Sequence, residues 1–583
     1  MERGLRTSVC NVLVIGSGAA GMRAAIAAHE AGAHVVVLGK RPRLDAHTVL
    51  ASGGINGALG TRDPEDSWQQ HYADTVREGY FVAHPRVVEI MAKEAPRAIL
   101  ELDEWGCEFA RTEDGRPDQR FFGAHFYRRT CYAGDFTGRA ILRTVHSRAK
   151  AIGVSPVVED TYVAKLLVAD GACFGALAFD IHSGERTVFL ADAVIFCTGG
   201  HTRLWRRSSS RRDENFGEGF GLLLEAGCEL MDIELVQFHP TGILWPDEIA
   251  GTLVTEAVRG EGGRLYNAGG ERYMQRYDPA RLELSSRDRV ALANYTEILE
   301  GRGTARGGVL LDITHRDKDF IIEKLPRMYR QFIEHQMLDI SREPMEVAPT
   351  AHYTMGGVVV DPETHATSVA GLYAAGEVTG GLHGANRLGG NSLAETIISG
   401  RRAGEAAAAF AEEGEVVLRS RRVIREACDE LDALVQPGSE LARPLQRHLR
   451  DAMWEFCGVV RDEEGLRRGL TEVESIRASL PDVDVRPGAE GWSDLAHALD
   501  LHGGLLAAEA TLRGALERRE TRGAHNRVDF PDLDDAYRVN FYTALEDGAM
   551  RIRSEPVPEP SAELDEIVRS APSVEAGADR LLE

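Results

Sequence analysis

Apolar residues along this chain gather in short runs that end at glycines, and these runs define its organisation. The first, Val12 to Ile15, is bounded by Asn11 and Gly16, the length and closure of a buried strand. Gly16, Gly18 and Gly21 follow, then the alanine-rich stretch AGMRAAIAAHE, then a second apolar run from His34 to Leu38. Strand, tight turn, helix and strand in about thirty residues is the order of a dinucleotide-binding unit. In that reading Gly16 allows the turn, Gly18 lets a pyrophosphate approach the backbone, and Gly21 lets the helix pack on the sheet. The helix N-terminus adds positive partial charge. A glycine-rich turn without a ligand is the competing reading, and the flanking strand and helix argue against it. The acidic residue expected after the second strand is absent: Gly39 and Lys40 stand there, so the ribose contact must come from elsewhere.

Two later runs, ADAVIFCTGG (Ala191 to Gly200) and GLYAAGEVTGG (Gly371 to Gly381), again run a buried strand into glycines, where a backbone can lie close to a ligand. Both read as returns to the first domain. Between them, residues 242–350 are rich in polar and charged positions and read as an inserted domain. From about 415 the pattern becomes that of charged helices, as in EACDELDALV and LLAAEATLRGALERRE. The proline- and acid-rich SEPVPEPSAELDEIV predicts a surface-hugging or flexible tail. No internal repeat is present.

Composition narrows the function classes. A chain of 583 residues exceeds the ~250–300 that one core accommodates. Its net charge of −24 repels polyphosphate, so no nucleic acid partner is expected. The one basic run, RRSSSRR (Arg206 to Arg212), reads by default as a solvated loop, with docking onto an acidic partner as a second possibility. No apolar stretch approaches the ~20 residues of a spanning helix, and MERGLRTSV has no signal-peptide core. No direct membrane span is therefore expected, and any membrane contact must be made through another subunit. Eight scattered cysteines without C-x-x-C spacing suit neither a zinc site nor a disulfide framework. The expectation is a cytoplasmic chain with no metal site and no iron–sulfur cluster of its own.

Further motifs are polar where a plain core would not be: HTVLASGG (His47 to Gly54), QFHPTGI (Gln237 to Ile243), TEAVRGEGG (Thr255 to Gly263), SSRDRV (Ser285 to Val290), PTAHYTMGG (Pro349 to Gly357), HGANRLGGNSLAE (His383 to Glu395) and ETRGAHNRVDFP. In this order, from about residue 11 to about 535, they resemble the flavoprotein subunit of succinate dehydrogenase and fumarate reductase. The resemblance implies an α/β chain. Its Rossmann-like FAD-binding domain spans 1–241 and 351–412, an α+β capping domain is inserted at 242–350, a helical domain covers 413–540 and a tail 541–583.

The same resemblance implies the chemistry, which is interconversion of succinate and fumarate with hydride transfer to FAD N5. It places the covalent attachment of FAD at His47, where the competing reading is a histidine that hydrogen-bonds at a strand end. It implies FAD contacts from Ala19, Ala20, Lys40, Thr48, Ser52, Gly53, Gly54, Thr198, Gly199, Gly200, Glu218, Glu377, Arg387, Ser392 and Leu393, beside the three fingerprint glycines. Glu218 departs from the expected aspartate. A dicarboxylate needs cationic and hydrogen-bonding groups at both ends, and the family pattern supplies His239, Thr255, His352 and Arg387. Arg287 matches the proton donor or acceptor, with Glu256 and Arg259, spaced i and i+3, as its relay to solvent. Taken alone, Arg287 beside Asp288 also reads as a surface ion pair. The capping domain would close over the flavin and exclude water. The partners implied are one or more membrane anchor subunits that use a quinone, reached through an iron–sulfur subunit. They would hold the chain at the inner face of the cell membrane.

L-Aspartate oxidase, a soluble flavoenzyme of similar fold, is the nearest alternative. The presence of His47, and of Phe121 and Phe122 where that enzyme carries a glutamate for the substrate ammonium group, argue against it. A flavin-binding module without catalysis is a third reading, opposed by the intact His239, Arg287, His352 and Arg387.

Overall fold

In the computed structural model, which describes residues 5–414 and 418–573, the first apolar run is the end of a longer strand, β1 (Leu5–Ile15). Its first half alternates exposed and partly buried residues and pairs in parallel with the start of β8 (Arg186–Phe196), so hydrophobicity alone marked only the buried end. β2 (Val35–Leu38) lies on the other side of β1, in parallel. The sheet continues antiparallel from β8 through β7 (Ala172–Asp180) to β6 (Thr161–Ala169), and β15 (Leu372–Ala374) returns to pair in parallel with β8. The C-terminal ends of β1, β8 and β15 thus run side by side into the glycine turns at Gly16, Gly199 and Gly376.

Small residues bring the helices of this layer together. Helix Ala19–Glu30 crosses helix Asn391–Glu413, and a Cβ on Gly400 or Gly404 would stand 2.5 Å from the carbonyl oxygen of Ala20 or 2.3 Å from that of Ala24. Only glycine permits that approach. A small three-stranded sheet of β3 (Ile55–Asn56), β5 (Thr130–Cys131) and β4 (Gln119–Arg120) follows the His47 segment.

The segment 242–350 hangs from two adjacent strands. β10 (Val236–Ile243) enters it and β13 (Met345–Thr354) leaves it, pairing antiparallel at Gly242 with Ala348 and at Ile243 with Val347. β12 (Val309–Asp312) and β11 (Arg264–Tyr266) extend this sheet outward. Val254, Leu265, Met274, Val290, Leu311 and Phe332 are fully buried on it, so the segment has a core of its own.

Between residues 421 and 517 lie the helices Arg421–Ala433, Ala442–Phe456, Glu463–Ala478 and Ser493–Glu517. The longest packs on helix Glu218–Glu225, where a Cβ on Gly221 would come within 2.5 Å of the Gly503 Cα. Arg518 beyond it is buried among Asp232, Glu234 and Glu520.

Two stretches differ from their expected description. The chain from 541 carries a hairpin, β16 (Val539–Glu546) and β17 (Ala549–Pro556), with β16 paired to β9 (Leu230–Met231), which itself pairs with β14 (Gly357–Val358). Helix Ala562–Ser570 then lies on helix Trp68–Glu78. Buried Phe541, Met550, Val557 and Leu564 anchor this stretch, although its charged and proline residues dominate the composition. The RRSSSRR run is not a solvated loop. Ser208, Ser209 and Ser210 are buried, and the backbones of Arg207 and Ser209 bond to Ala351 on β13. Ser208 and Ser210 hydroxyls join Thr202 and Asn215 in a buried hydrogen-bonded cluster. Once the serines are satisfied internally, the arginines are left at the margins.

Candidate active site

A cavity of about 1090 Å³ lies over the ends of β1, β8 and β15 and beneath the 242–350 segment. Two helix N-termini open on it, those of Ala19–Glu30 and Asn391–Glu413. Their N-caps, Gly18 and Gly390, offer no capping side chain, and neither first turn holds an acidic residue. The positive ends of both helices are therefore available to an anionic ligand. Gly16 (φ +118°) turns the chain below them, and a Cβ there would stand 2.2 Å from the Cys197 carbonyl oxygen. Two helix ends without an N-cap side chain, one with its Ala19 N–H bonded to the Thr48 hydroxyl (3.1 Å), and a glycine turn in one lining fit a dinucleotide.

Of the residues expected to touch FAD, Gly16, Gly18, Ala19, Ala20, Lys40, His47, Thr48, Ser52, Gly53, Gly54, Thr198, Gly199, Glu218, Glu377, Arg387, Ser392 and Leu393 line the cavity. Gly21 and Gly200 do not. A Cβ on Gly21 would meet the Gly16 carbonyl oxygen at 1.9 Å, and one on Gly200 the Thr354 hydroxyl at 2.2 Å; both serve packing behind the wall.

Where a dinucleotide fold carries an acid after its second strand, Lys40 donates to Glu218 (2.9 Å) and to Asp500 (2.8 Å), which comes from the long C-terminal helix. Tyr162 also donates to Asp500 (2.8 Å). Burial raises the Asp500 carboxyl, to about 7, against the pull of Lys40. A carboxylate is thus present beside the second strand, supplied by Glu218 and held by a lysine.

His47 opens a single 3-10 turn, His47–Leu50. Its Nδ1 lies 2.9 Å from Glu214 Oε1. Burial works to lower the imidazole pKa, but the bond and charge of Glu214 outweigh it and raise it. Glu214 also accepts from the Arg211 backbone N–H (2.9 Å). This pairing leaves Nε2 as the free ring nitrogen at the cavity.

The substrate-side residues come together from both layers. Arg287, at the start of helix Arg287–Leu299, donates from Nε to Glu256 Oε2 at 2.8 Å, and its Nη2 lies 2.8 Å from the same oxygen. Glu256 in turn accepts from the Gly123 N–H (2.8 Å) and stands 3.9 Å from Arg259. Burial works to raise this carboxyl, but Arg287 and Arg259 hold it down at about 2. Asp288 takes no part; it accepts from Tyr80 and Asn386, which removes the surface ion-pair reading. Arg259 does not line the cavity but lies buried behind Glu256, donating to the Glu283 carbonyl (2.6 Å). Thr255, also buried, lines the cavity.

Gln237 joins the two guanidinium groups, since its Oε1 accepts from Arg287 (3.2 Å) and Arg387 (3.1 Å). Among the described residues Arg387 pairs with no carboxylate; it stacks 4.3 Å over the Tyr353 ring. Burial, then the neighbouring Arg287, lowers its pKa to about 10. The rings of His239 and His352 lie 5.3 Å apart at 75°. Both are pushed well below the usual imidazole range, first by burial and then by arginines, Arg287 for His239 and Arg387 for His352. Burial and these arginines favour the neutral form of both rings. His239 Nδ1 lies 3.2 Å from both the N–H and the carbonyl oxygen of Thr241, while Nε2 of His239 and Nε of Arg387 are buried without partners. Phe122 lines the same cavity, its ring against Gly53, whereas Phe121 packs under Arg128.

Gln237, Glu214, Asp500 and Ser209 were not among the expected site residues. Gln237 stood within a motif already singled out, and Ser209 and Glu214 lie in or beside the basic run, which carried no sign of a role in the site; Asp500 lies in an ordinary helical stretch.

Residues 11–393 match the FAD binding domain family and residues 446–567 the family described as fumarate reductase flavoprotein C-term. The matching chain of fumarate reductase (CoM/CoB) from Methanothermobacter marburgensis is 44% identical over 529 residues, covering 90% of this chain and 95% of that one. The succinate dehydrogenase flavoprotein subunit of Rickettsia conorii is 36% identical over 90% and 91% of the two chains. Among solved structures, the E. coli quinol fumarate reductase flavoprotein superposes with a TM-score of 0.90 at 32% identity over 95% of this chain and 98% of that one. Sdh1 of Mycobacterium smegmatis, in complex with UQ1, superposes at 0.87 with 37% identity over 96% of each. These relatives support the expected reading over L-aspartate oxidase. Fold, fingerprint and both family matches agree: the chain belongs to the succinate dehydrogenase and fumarate reductase flavoprotein family of FAD-dependent oxidoreductases.

Proposed function

We propose that this chain interconverts succinate and fumarate as the flavoprotein subunit of a larger complex. One observation carries the reading: two buried, unpartnered nitrogens, His239 Nε2 and Arg387 Nε, belong to residues of a cavity that also holds Arg287 and His352. Buried polar groups without partners are costly, and a dianion with a carboxylate at each end supplies the missing acceptors. FAD, when bound, supplies the two-electron acceptor at N5.

The protein binds and orients the diacid and handles the proton. His239 and Thr255 hold one carboxylate, His352 and Arg387 the other. Arg287 exchanges the proton with the substrate carbon. A guanidinium with an ordinary pKa of ~12.5 is a weak acid, so the adjacent Glu256 carboxylate, with Arg259 behind it, must return the proton quickly. The 242–350 segment contributes Thr255, Glu256 and Arg287, and its closure over His352 and Arg387 excludes water and strengthens each charged contact. Phe122 offers an ammonium group no partner, which disfavours an amino acid substrate.

His47 would carry FAD covalently, with Nδ1 held by Glu214 and Nε2 left for the attachment, a choice of nitrogen that the pairing of Nδ1 supports. Electrons leave through an iron–sulfur subunit to a membrane anchor that uses a quinone, a reading supported by the similar structures of a quinol fumarate reductase, of one with menaquinol molecules and of Sdh1 with UQ1. No helix among the described residues is long and apolar enough to cross a membrane; the reading places this chain at the inner face of the cell membrane through its partner subunits.

Purified, FAD-loaded protein should reduce fumarate with a reduced dye or oxidise succinate with an oxidised one, and should be inert to L-aspartate and oxygen. Turnover of L-aspartate instead would overturn the reading. On a denaturing gel, flavin fluorescence should stay with the wild-type band and disappear from His47→Ala; free flavin in both would remove the tether while leaving the reaction intact.

A further inference from the structure

The serine-rich run bears on the substrate through one side chain. Ser209 Oγ lies 2.9 Å from His352 Nδ1. The contact is built rather than incidental. The Ser209 N–H donates to the Ala351 carbonyl (2.9 Å), the Ala351 N–H donates to the Arg207 carbonyl (3.0 Å), and Ser208 forms a parallel bridge with Ala351. The loop is thus fastened to β13 at the residue before His352, and Ser209 is buried there.

A neutral imidazole carries one N–H and one lone pair. Set beside a carboxylate, the ring is useful only with its proton on Nε2; with the proton on Nδ1, the Nε2 lone pair faces the anion and repels it. The ionisable groups that act most on His352 are Arg387, His239, Arg287 and His47, none of them a carboxylate, and Ser209 is the hydrogen-bond partner at its Nδ1. A serine hydroxyl can take either role toward Nδ1; with a carboxylate at Nε2 it donates, so that the Nδ1 lone pair is satisfied, and its position is set by backbone bonds that do not depend on substrate.

We propose that Ser209 is a positioning residue for dicarboxylate binding, donating to His352 Nδ1 so that the ring presents Nε2–H to a substrate carboxylate. The proposal rests on the dicarboxylate reading above and adds to it a cavity-lining residue that acts through the His352 ring. It also accounts for the buried serine within the basic run.

The test compares wild type with Ser209→Ala, Ser209→Thr and Ser209→Cys, all FAD-loaded. The probe is malonate, a diacid without the CH2–CH2 bond that is oxidised, titrated through the flavin absorbance; KM and kcat for succinate are measured in parallel. Ser209→Ala should raise the malonate Kd and the succinate KM about tenfold, with kcat within about threefold and FAD content unchanged. Ser209→Thr, which keeps the hydroxyl, should restore both. Should Ser209→Ala fail to fold, Ser209→Cys, a weak donor of similar size, carries the same expected rise. An unchanged malonate Kd in the alanine or cysteine variant, or a fall in kcat at constant KM, overturns the proposal. Wild-type protein that binds no malonate and turns over no diacid overturns the dicarboxylate reading itself, and this inference with it.

Discussion

Arg287 and Arg387 share one acceptor, Gln237 Oε1, yet their surroundings differ. Arg287 has a carboxylate at 2.8 Å on two of its nitrogens; Arg387 has an aromatic face and an unpartnered Nε. The paired guanidinium suits proton transfer and the unpaired one suits binding an anion. Arg287→Lys keeps the charge but loses the fork that grips Glu256. We expect kcat to fall by about 10²–10⁴, the usual worth of a positioned acid or base, with KM little changed. Arg387→Lys should instead raise KM. Steady-state kinetics on both variants checks the split, and a shared fall in kcat alone would remove the distinction. The residues named in motifs were readable as a set, through the resemblance of those motifs, in their order along the chain, to the family's. Their partners were not: Glu214 lies 167 positions from His47 in a stretch that reads as surface.

Among the helices and strands, the glycines were readable where they punctuate strands and silent where they let helices touch. Gly16 and Gly18 sit in a recognisable fingerprint. Gly221 and Gly503 lie in ordinary helical stretches, yet their closeness lets helix Ser493–Glu517 approach helix Glu218–Glu225 and carry Asp500 to Lys40. A Cβ on Gly503 would meet the Glu218 Cα at 2.7 Å and its carbonyl oxygen at 3.0 Å, so neither can yield without moving a backbone. Gly503→Ala should therefore cost about 1–3 kcal/mol through overpacking and loosen FAD by displacing Asp500 and Glu218. Thermal unfolding and flavin retention on desalting measure the two effects; unchanged retention would separate the helix crossing from the cofactor.

The folded chain as a body buries many imidazoles in their neutral form. His125 and His201 are lowered to about 3, chiefly by burial, and His71 also falls well below the ordinary value, again by burial. The unfolded chain takes up these protons near pH 6.5 and the folded chain does not, so stability is fully present above 6.5 and is lost as pH falls below it. One pH unit below, each such histidine costs about 1.4 kcal/mol. Asp232 and Asp500, raised to about 7 by burial, act in the opposite sense and gain as pH falls. A difference measurement separates the two. His201→Gln, at a histidine that bonds Thr354 and Thr511 across the domains, should lose less stability than wild type between pH 7.5 and 5.5, by about that amount. Equal losses in the two proteins would show that His201 is protonated when folded.

Local sequence was enough to set the strand, turn and helix of the fingerprint, the inserted segment, the helical character of the C-terminal part, and which polar residues stand where a core should be. These features are local because backbone periodicity and the special conformations of glycine act over a few residues. Which groups face each other came from the folded chain alone: Asp500 on Lys40, Glu214 on His47, Gln237 between two arginines, and a loop serine on His352. Those pairings are set by which strands lie adjacent and how closely helices cross. Burial then makes each contact strong enough to fix a charge or leave a ring neutral.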